Sequence, residues 1–221
     1  MTTIFSQSSD NQRAIVLLPG GGLLDLLDPS PGSWTDEDLA IGLSRTYRWG
    51  GHSAWSRPLS VAQHSLTVLA IREQQHGRLG PDASLYELLH DAEEGLIGFD
   101  CIAPLKPFLG APFADLCTRL TAAIARRYGL VPLMEAEWRL HKQADRTAAA
   151  SEALHVVKWS RDAIRTSLRI AEIPLEIDPL DTGDFAPWEP WPSDYAARRW
   201  LEAVEQQYRR IYPAAASSRQ S

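Results

Sequence analysis

The sequence predicts a mostly α-helical domain with a short β-hairpin at its N-terminus. Three observations predict it. Apolar residues recur at helical spacing through several long stretches after residue 35, two short apolar runs flank a triple glycine near the start, and Pro- and Gly-rich segments punctuate the remainder. At 221 residues, with 44% hydrophobic and 23% charged residues, the chain is long enough for one globular domain with its own core. The expected organisation is a disordered tail over 1–13, a single domain over 14–212 and a disordered tail over 213–221.

The elements follow in order. Residues 14–18 and 23–27 read as two strands about the turn Pro19-Gly20-Gly21-Gly22. That turn lacks the Gly-Lys-Ser/Thr ending and following helix of a phosphate loop, so it is read as structural. Thr35 caps a helix through Leu43, with acids at 36–38 on its positive end. Residues 44–58 are turn-rich and aromatic. Ser60 caps a helix over about 61–75, with Val61, His64, Val68 and Ile71 on one face. Pro81 and Ser84 open the next helix, where Ser84 and Glu87 have capping-box spacing and Leu85, Leu88, Leu89 and Ala92 supply a buried side as far as Gly95. After a loop over 95–111, a helix over 112–128 carries Phe113, Leu116, Leu120 and Ile124 in phase and stops at Gly129. The stretch 133–157 is helical, with Trp138, His141, Asp145 and Glu152 near one stripe. An amphipathic segment over 159–171, a proline-rich wrapping loop over 172–192 and a last helix over 194–212, capped by Ser193, complete the chain. Trp200, Val204, Tyr208 and Ile211 face inward on that last helix.

Net charge is −6 and the sequence pI is near 5.5, which argues against long nucleic acid as a partner. Cys101 and Cys117 suggest no disulfide framework and fit a reducing compartment. The N-terminus lacks a secretory pattern, and the apolar runs fall short of a bilayer span. The expectation is a soluble cytoplasmic protein with no membrane contact.

The chemistry concentrates in the adjacent pair His90-Asp91, with His64 upstream and Asp145 downstream, each in a stretch that reads as helix. Two imidazoles and two carboxylates suit one hard or borderline divalent ion: Mn, Co, Mg, Zn, Fe or Ni. Octahedral coordination by these four would leave positions for water and a phosphoryl oxygen. All three segments are otherwise apolar, and burying such groups unpaired would cost several kcal/mol. His141, four residues before Asp145, is read as a supporting or surface residue rather than a fifth ligand.

The sequence resembles the HD-domain metal-dependent phosphohydrolases, in the branch that includes bacterial 5′-deoxynucleotidases and a cyanophage dATP triphosphohydrolase. The resemblance is carried by Asp25-Leu26-Leu27-Asp28-Pro29, Arg48-Trp49-Gly50-Gly51-His52, Ser60-Val61-Ala62-Gln63-His64-Ser65, Leu89-His90-Asp91-Ala92-Glu93-Glu94, Pro104-Leu105-Lys106, Ala144-Asp145 and Ser151-Glu152. It implies an HD-type helical bundle with His64, His90, Asp91 and Asp145 on one divalent metal. It further implies Glu94, and Asp100 with it, as catalytic acids that position or deprotonate water. Arg48, Lys106 and Lys142 are implied as phosphate contacts, and Trp49 as either an aromatic near sugar and base or a core residue. Asp100 stands ten residues after His90 where the family has an acid at nine, so its role depends on a one-residue insertion. Residues 52–59 are longer than the family pattern, and 172–192 has no counterpart in it. The implied activity is hydrolysis of a phosphate ester of a small (deoxy)ribonucleotide by a metal-activated water. The alternatives are a catalytically silent HD domain that binds a nucleotide or protein, and a phosphodiesterase or nuclease, for which the remaining histidines do not supply a two-metal pattern. The resemblance also allows a homo-oligomer, with the Trp- and Tyr-rich C-terminal helix either at the contact or on its own core.

Overall fold

The computed structural model describes residues 13–180 and 182–212. Apart from Arg13, the two expected tails lie outside the described residues, as does Asp181. Arg13 itself is tied down, its Nε donating to Asp25 Oδ2 at 3.0 Å.

The hairpin is present: β1 (Ile15–Leu17) pairs antiparallel with β2 (Leu23–Asp25), Val16 opposite Leu24. Leu24 points into the core while Leu17 and Leu23 face solvent, the alternation a half-buried strand requires. The Asp38 carboxylate accepts from Gly20 N at 2.6 Å and so fastens the hairpin turn to α1 (Asp36–Arg45). Asp38 is also the acidic half of a capping box with Thr35, which confirms the predicted start of that helix.

Among the described residues the architecture is mostly α. α2 (Val61–His76), capped by Ser60, runs through the middle with α1, α3, α6 and α8 against it, so it is buried nearly all round rather than along one face. α3 (Pro81–Leu89) begins on Pro81, and Ser84 lies inside it with Oγ donating to Gly80 O. The predicted Ser84–Glu87 capping box is therefore absent, because the Glu87 carboxylate turns inward to Arg72 and His141. The helix expected to continue to Gly95 breaks at His90–Asp91, where Asp91 takes φ −115° and ψ 25°, and resumes as α4 (Ala92–Ile97). Gly95 is not a stop. It sits within α4 against α1, and Gly98, at φ 75°, ends the helix.

The loop expected over 95–111 is shorter, because α5 (Lys106–Tyr128) already starts at Lys106. By length and composition alone α5 could cross a membrane, which the sequence reading did not anticipate, although Gly110 (φ 71°) and Pro112 break its first part from the rest. α6 (Glu135–His155) matches expectation. α7 (Arg161–Thr166), capped by Ser160, is shorter than the predicted segment, since the chain leaves the helix before Arg169 (φ 57°). α8 (Ser193–Ile211) starts from Pro192, so Ser193 is its first residue and not its cap.

The described residues of 172–192 wrap as a loop, as read from sequence. Gln63, buried on α2, pins it by accepting from Trp191 N at 2.8 Å and donating to Glu189 O at 3.1 Å. Leu39, Leu43, Leu85, Leu88, Leu120, Trp200 and Val204 lie in the main core, and Trp200 Nε1 donates to Leu88 O two residues before the helix break at His90.

Candidate metal centre

Three stretches deliver the predicted ligands: α2 carries His64, the α3–α4 break carries His90 and Asp91, and α6 carries Asp145. Neighbours on an unbroken helix diverge by about 100°. The non-helical Asp91 backbone removes that obstacle, and Asp91 Oδ2 comes within 3.3 Å of His90 Nε2 and 3.8 Å of His64 Nε2. His64 Nε2 lies 3.4 Å from Asp145 Oδ1. Ligand atoms of His64, His90 and Asp145 all fall within 4.8 Å of one another, a grouping that could hold a metal ion.

Both imidazoles are fixed by their other nitrogen. His64 Nδ1 is 2.6 Å from Glu152 Oε1, and His90 Nδ1 is 2.8 Å from the Glu87 carbonyl oxygen. This leaves the two Nε2 atoms buried, without hydrogen-bond partners, and turned to the same carboxylates. Orphaned buried nitrogens are costly unless something binds them. Two imidazole nitrogens and two carboxylates, each imidazole oriented through its far side, fit a divalent metal.

The charge distribution agrees with that donor set. Burial and the Arg48 guanidinium oppose charge on His64, but Glu152 and Asp145 outweigh them and raise its pKa to about 9. Burial works against the Asp91 and Asp145 carboxylates, yet His90 and His64 hold both well below the usual range. The site thus stabilises positive charge at its centre. Glu94 behaves in the opposite way: burial, then Asp91 and Asp100, push its carboxyl up to about 9 against Arg48 and Lys106.

The other predicted residues surround this cluster. Glu94 is buried, with Oε1 3.4 Å from Lys106 Nζ and Oε2 without a hydrogen-bond partner. Asp100 sits in the same field; burial raises its pKa and Arg48 opposes the rise. Arg48 donates through Nε to Glu152 Oε2 at 3.0 Å and places Nη1 3.5 Å from Asp91 Oδ2. Trp49 holds a left-handed backbone (φ 59°) in the turn Arg48–Gly51, a conformation that costs a non-glycine residue about 1–2 kcal/mol. Its Nε1 donates to Glu152 Oε2 at 3.3 Å, and its ring packs beside Ala150, Ala153 and Ile164, which anchors the turn. Lys142 Nζ donates to Asp145 Oδ2 at 2.8 Å.

Sequence reasoning missed what two supporting acids do. Glu152 orients His64; its position seven residues after Asp145, two helical turns along one face, was the available signal. Glu87 accepts from Arg72 Nε at 2.8 Å and lies 2.6 Å from His141 Nδ1. The His141 ring meets the His90 ring edge-on at 4.9 Å, and among the described residues His141 does not join the cluster.

Fold and site together define a mostly helical protein with a partly buried His/Asp group that could hold a metal ion. No family model matches the chain. It is 38% identical over 150 residues to the uncharacterized protein RCAP_rcc00048 of Rhodobacter capsulatus, a match covering 67% of this chain and 76% of that one. The chain belongs to the same family as that protein.

Proposed function

We propose that this protein is an HD-type metal-dependent phosphohydrolase that acts in the cytoplasm on small (deoxy)ribonucleotides, as a 5′-deoxynucleotidase or a dNTP triphosphohydrolase. The observation that carries the reading is the pair of buried, partnerless Nε2 atoms of His64 and His90, aimed at Asp91 and Asp145 inside a ring of acids and cations. His64, His90, Asp91 and Asp145 would hold one divalent ion. When bound, such an ion lowers the pKa of a coordinated water and neutralises phosphoryl charge.

The remaining residues divide the work. Glu94 presents a buried Oε2 with no partner, a place for a water to be held. Its carboxyl, kept protonated by burial and by Asp91 and Asp100, would be able to accept that water's proton once a bound cation offset those charges, with Asp100 as a nearby second acid. Arg48, fixed between Glu152 and Asp91, together with Lys106 and Lys142, offers cations to phosphoryl oxygens. In the reaction the water oxygen bonds to phosphorus, the P–O ester bond breaks, and the departing oxygen takes the proton. A net charge of −6 favours a small substrate over a polynucleotide.

The test is product chromatography on dNMPs, dNDPs, dNTPs and their ribo-counterparts with Mn²⁺, Co²⁺ or Mg²⁺. Nucleoside released from monophosphates identifies a nucleotidase; nucleoside plus tripolyphosphate from dNTPs identifies a triphosphohydrolase. Asp145→Ala should lose both metal and turnover. Silence of the loaded protein across the panel, or full turnover by the Asp145 variant, overturns the reading.

A further inference from the structure

Lys142, whose ammonium donates to Asp145 Oδ2 at the edge of the His/Asp cluster, also lines an open surface cleft of about 610 Å³, walled by Trp138, Arg139, Gln143 and Arg146 of α6 and by Glu172 opposite. Trp138 lies one helical turn before Lys142 and about 10 Å of helix rise before Asp145. Its side is 49% exposed, and among the described residues no ring or cation stacks on its indole.

The two arginines are already engaged. Arg139 pairs with Glu135 at 2.5 Å, and Arg146 donates to the Arg169 carbonyl oxygen and lies 3.3 Å from Glu172. They shape the walls and are not free phosphate ligands. What remains open is one large aromatic face with the exposed Gln143 amide beside it, while Glu172 closes the far wall against Arg146. Trp49, the aromatic that the resemblance places near the base, has its Nε1 on Glu152 and its ring against the α6–α7 packing.

We infer that this cleft takes the nucleobase of the substrate, stacked on Trp138, while the phosphate lies at the His/Asp cluster. The inference rests on the nucleotide phosphohydrolase reading and adds to it a specificity-determining residue. Stacking on an exposed aromatic tolerates any base, so Gln143 would bias the choice by contacting the base edge.

The experiment compares wild type, Trp138→Ala and Trp138→Phe, loaded with Mn²⁺, on the four dNMPs and on base-free 2-deoxyribose 5-phosphate. The alanine variant should lose about 5- to 150-fold in kcat/KM on nucleotides, mainly through KM, and nothing on the base-free ester. Phenylalanine should restore most of the loss. Equal losses on both esters, or none on nucleotides, overturn the inference. If wild type is inert on every ester, the phosphohydrolase reading has failed. Equilibrium dialysis of the dNMPs and dNTPs then decides the cleft separately: binding weakened in Trp138→Ala supports it, and unchanged or absent binding overturns it.

Discussion

The Glu152 carboxylate lies 2.6 Å from His64 Nδ1, and its other oxygen receives Arg48 Nε at 3.0 Å. One buried acid on α6 therefore fixes an imidazole on α2 and a guanidinium from the turn before it. A carboxylate behind a ligating histidine sets the ring's tautomer and aim, and its loss commonly costs 10- to 100-fold in metal affinity. Glu152→Gln, which keeps an acceptor for Nδ1–H, should weaken Mn²⁺ binding by about tenfold, and Glu152→Ala by nearer 100-fold. The alanine variant should also lose about 3–5 kcal/mol of stability, because it strands the buried Arg48 charge. Calorimetric Mn²⁺ titration with urea unfolding reads both effects; unchanged affinity in both variants would remove Glu152 from the site.

The Glu94 carboxyl gives a pH prediction. Its pKa is raised from 4.5 to about 9 by burial, then by Asp91 and Asp100. Across that window the folded, metal-free protein keeps a proton that the unfolded chain has released, so stability falls as pH rises. Glu94→Gln mimics the protonated acid and removes this cost. The metal-free variant should match wild type near pH 5 and exceed its Tm increasingly towards pH 9. Parallel melting profiles over that range would contradict the assignment.

Arg72 and Glu87, both about 1% exposed, form a buried ion pair across α2 and α3 that also backs His141. Removing one partner of such a pair strands the other and costs about 3–5 kcal/mol. Arg72→Ala should show that loss in urea unfolding, together with weaker Mn²⁺ binding through the His141–His90 contact. The exposed pair Arg139–Glu135 is the control, and Arg139→Ala should cost less than about 0.5 kcal/mol.

The same residues show what could be read from sequence and what could not. Helix starts written in local chemistry, such as Thr35 with Asp38 or Ser60 before Val61, were legible because the cap lies within a few residues of its partner. His64, His90, Asp91 and Asp145 were legible as candidate ligands through residue type and order, and the structure brings them together. Glu87 was misread as a cap because its partners, Arg72 and His141, come from other helices. The break at His90–Asp91 carries no proline or glycine. It arises from long-range packing, as does the burial of α2 on every side, and neither has a local signature.

Gly42 and Gly95 form a close approach between α1 and α4, and the contact bears on the acid that α4 carries. A Cβ at Gly42 would collide with the Gly95 carbonyl oxygen, and one at Gly95 would meet the Leu43 side chain at 2.8 Å. Both obstacles involve packed helices, so relief requires α4 to move. Gly42→Ala should cost at least the 1–3 kcal/mol typical of overpacking. Since Glu94 precedes Gly95 directly, the shift should reach the carboxyl proposed to hold the water, where a displacement of about 1 Å can reduce turnover 100-fold. His64 and Asp145 stand on α2 and α6, outside that contact, so metal affinity should fall less than kcat. Gly32→Ala, with nothing within 4 Å of its added Cβ, should leave stability, metal binding and turnover unchanged. Measuring Tm, Mn²⁺ affinity and kcat on both variants separates the cases: equal loss of kcat and affinity in Gly42→Ala would mean that the α1–α4 contact supports the whole cluster rather than Glu94.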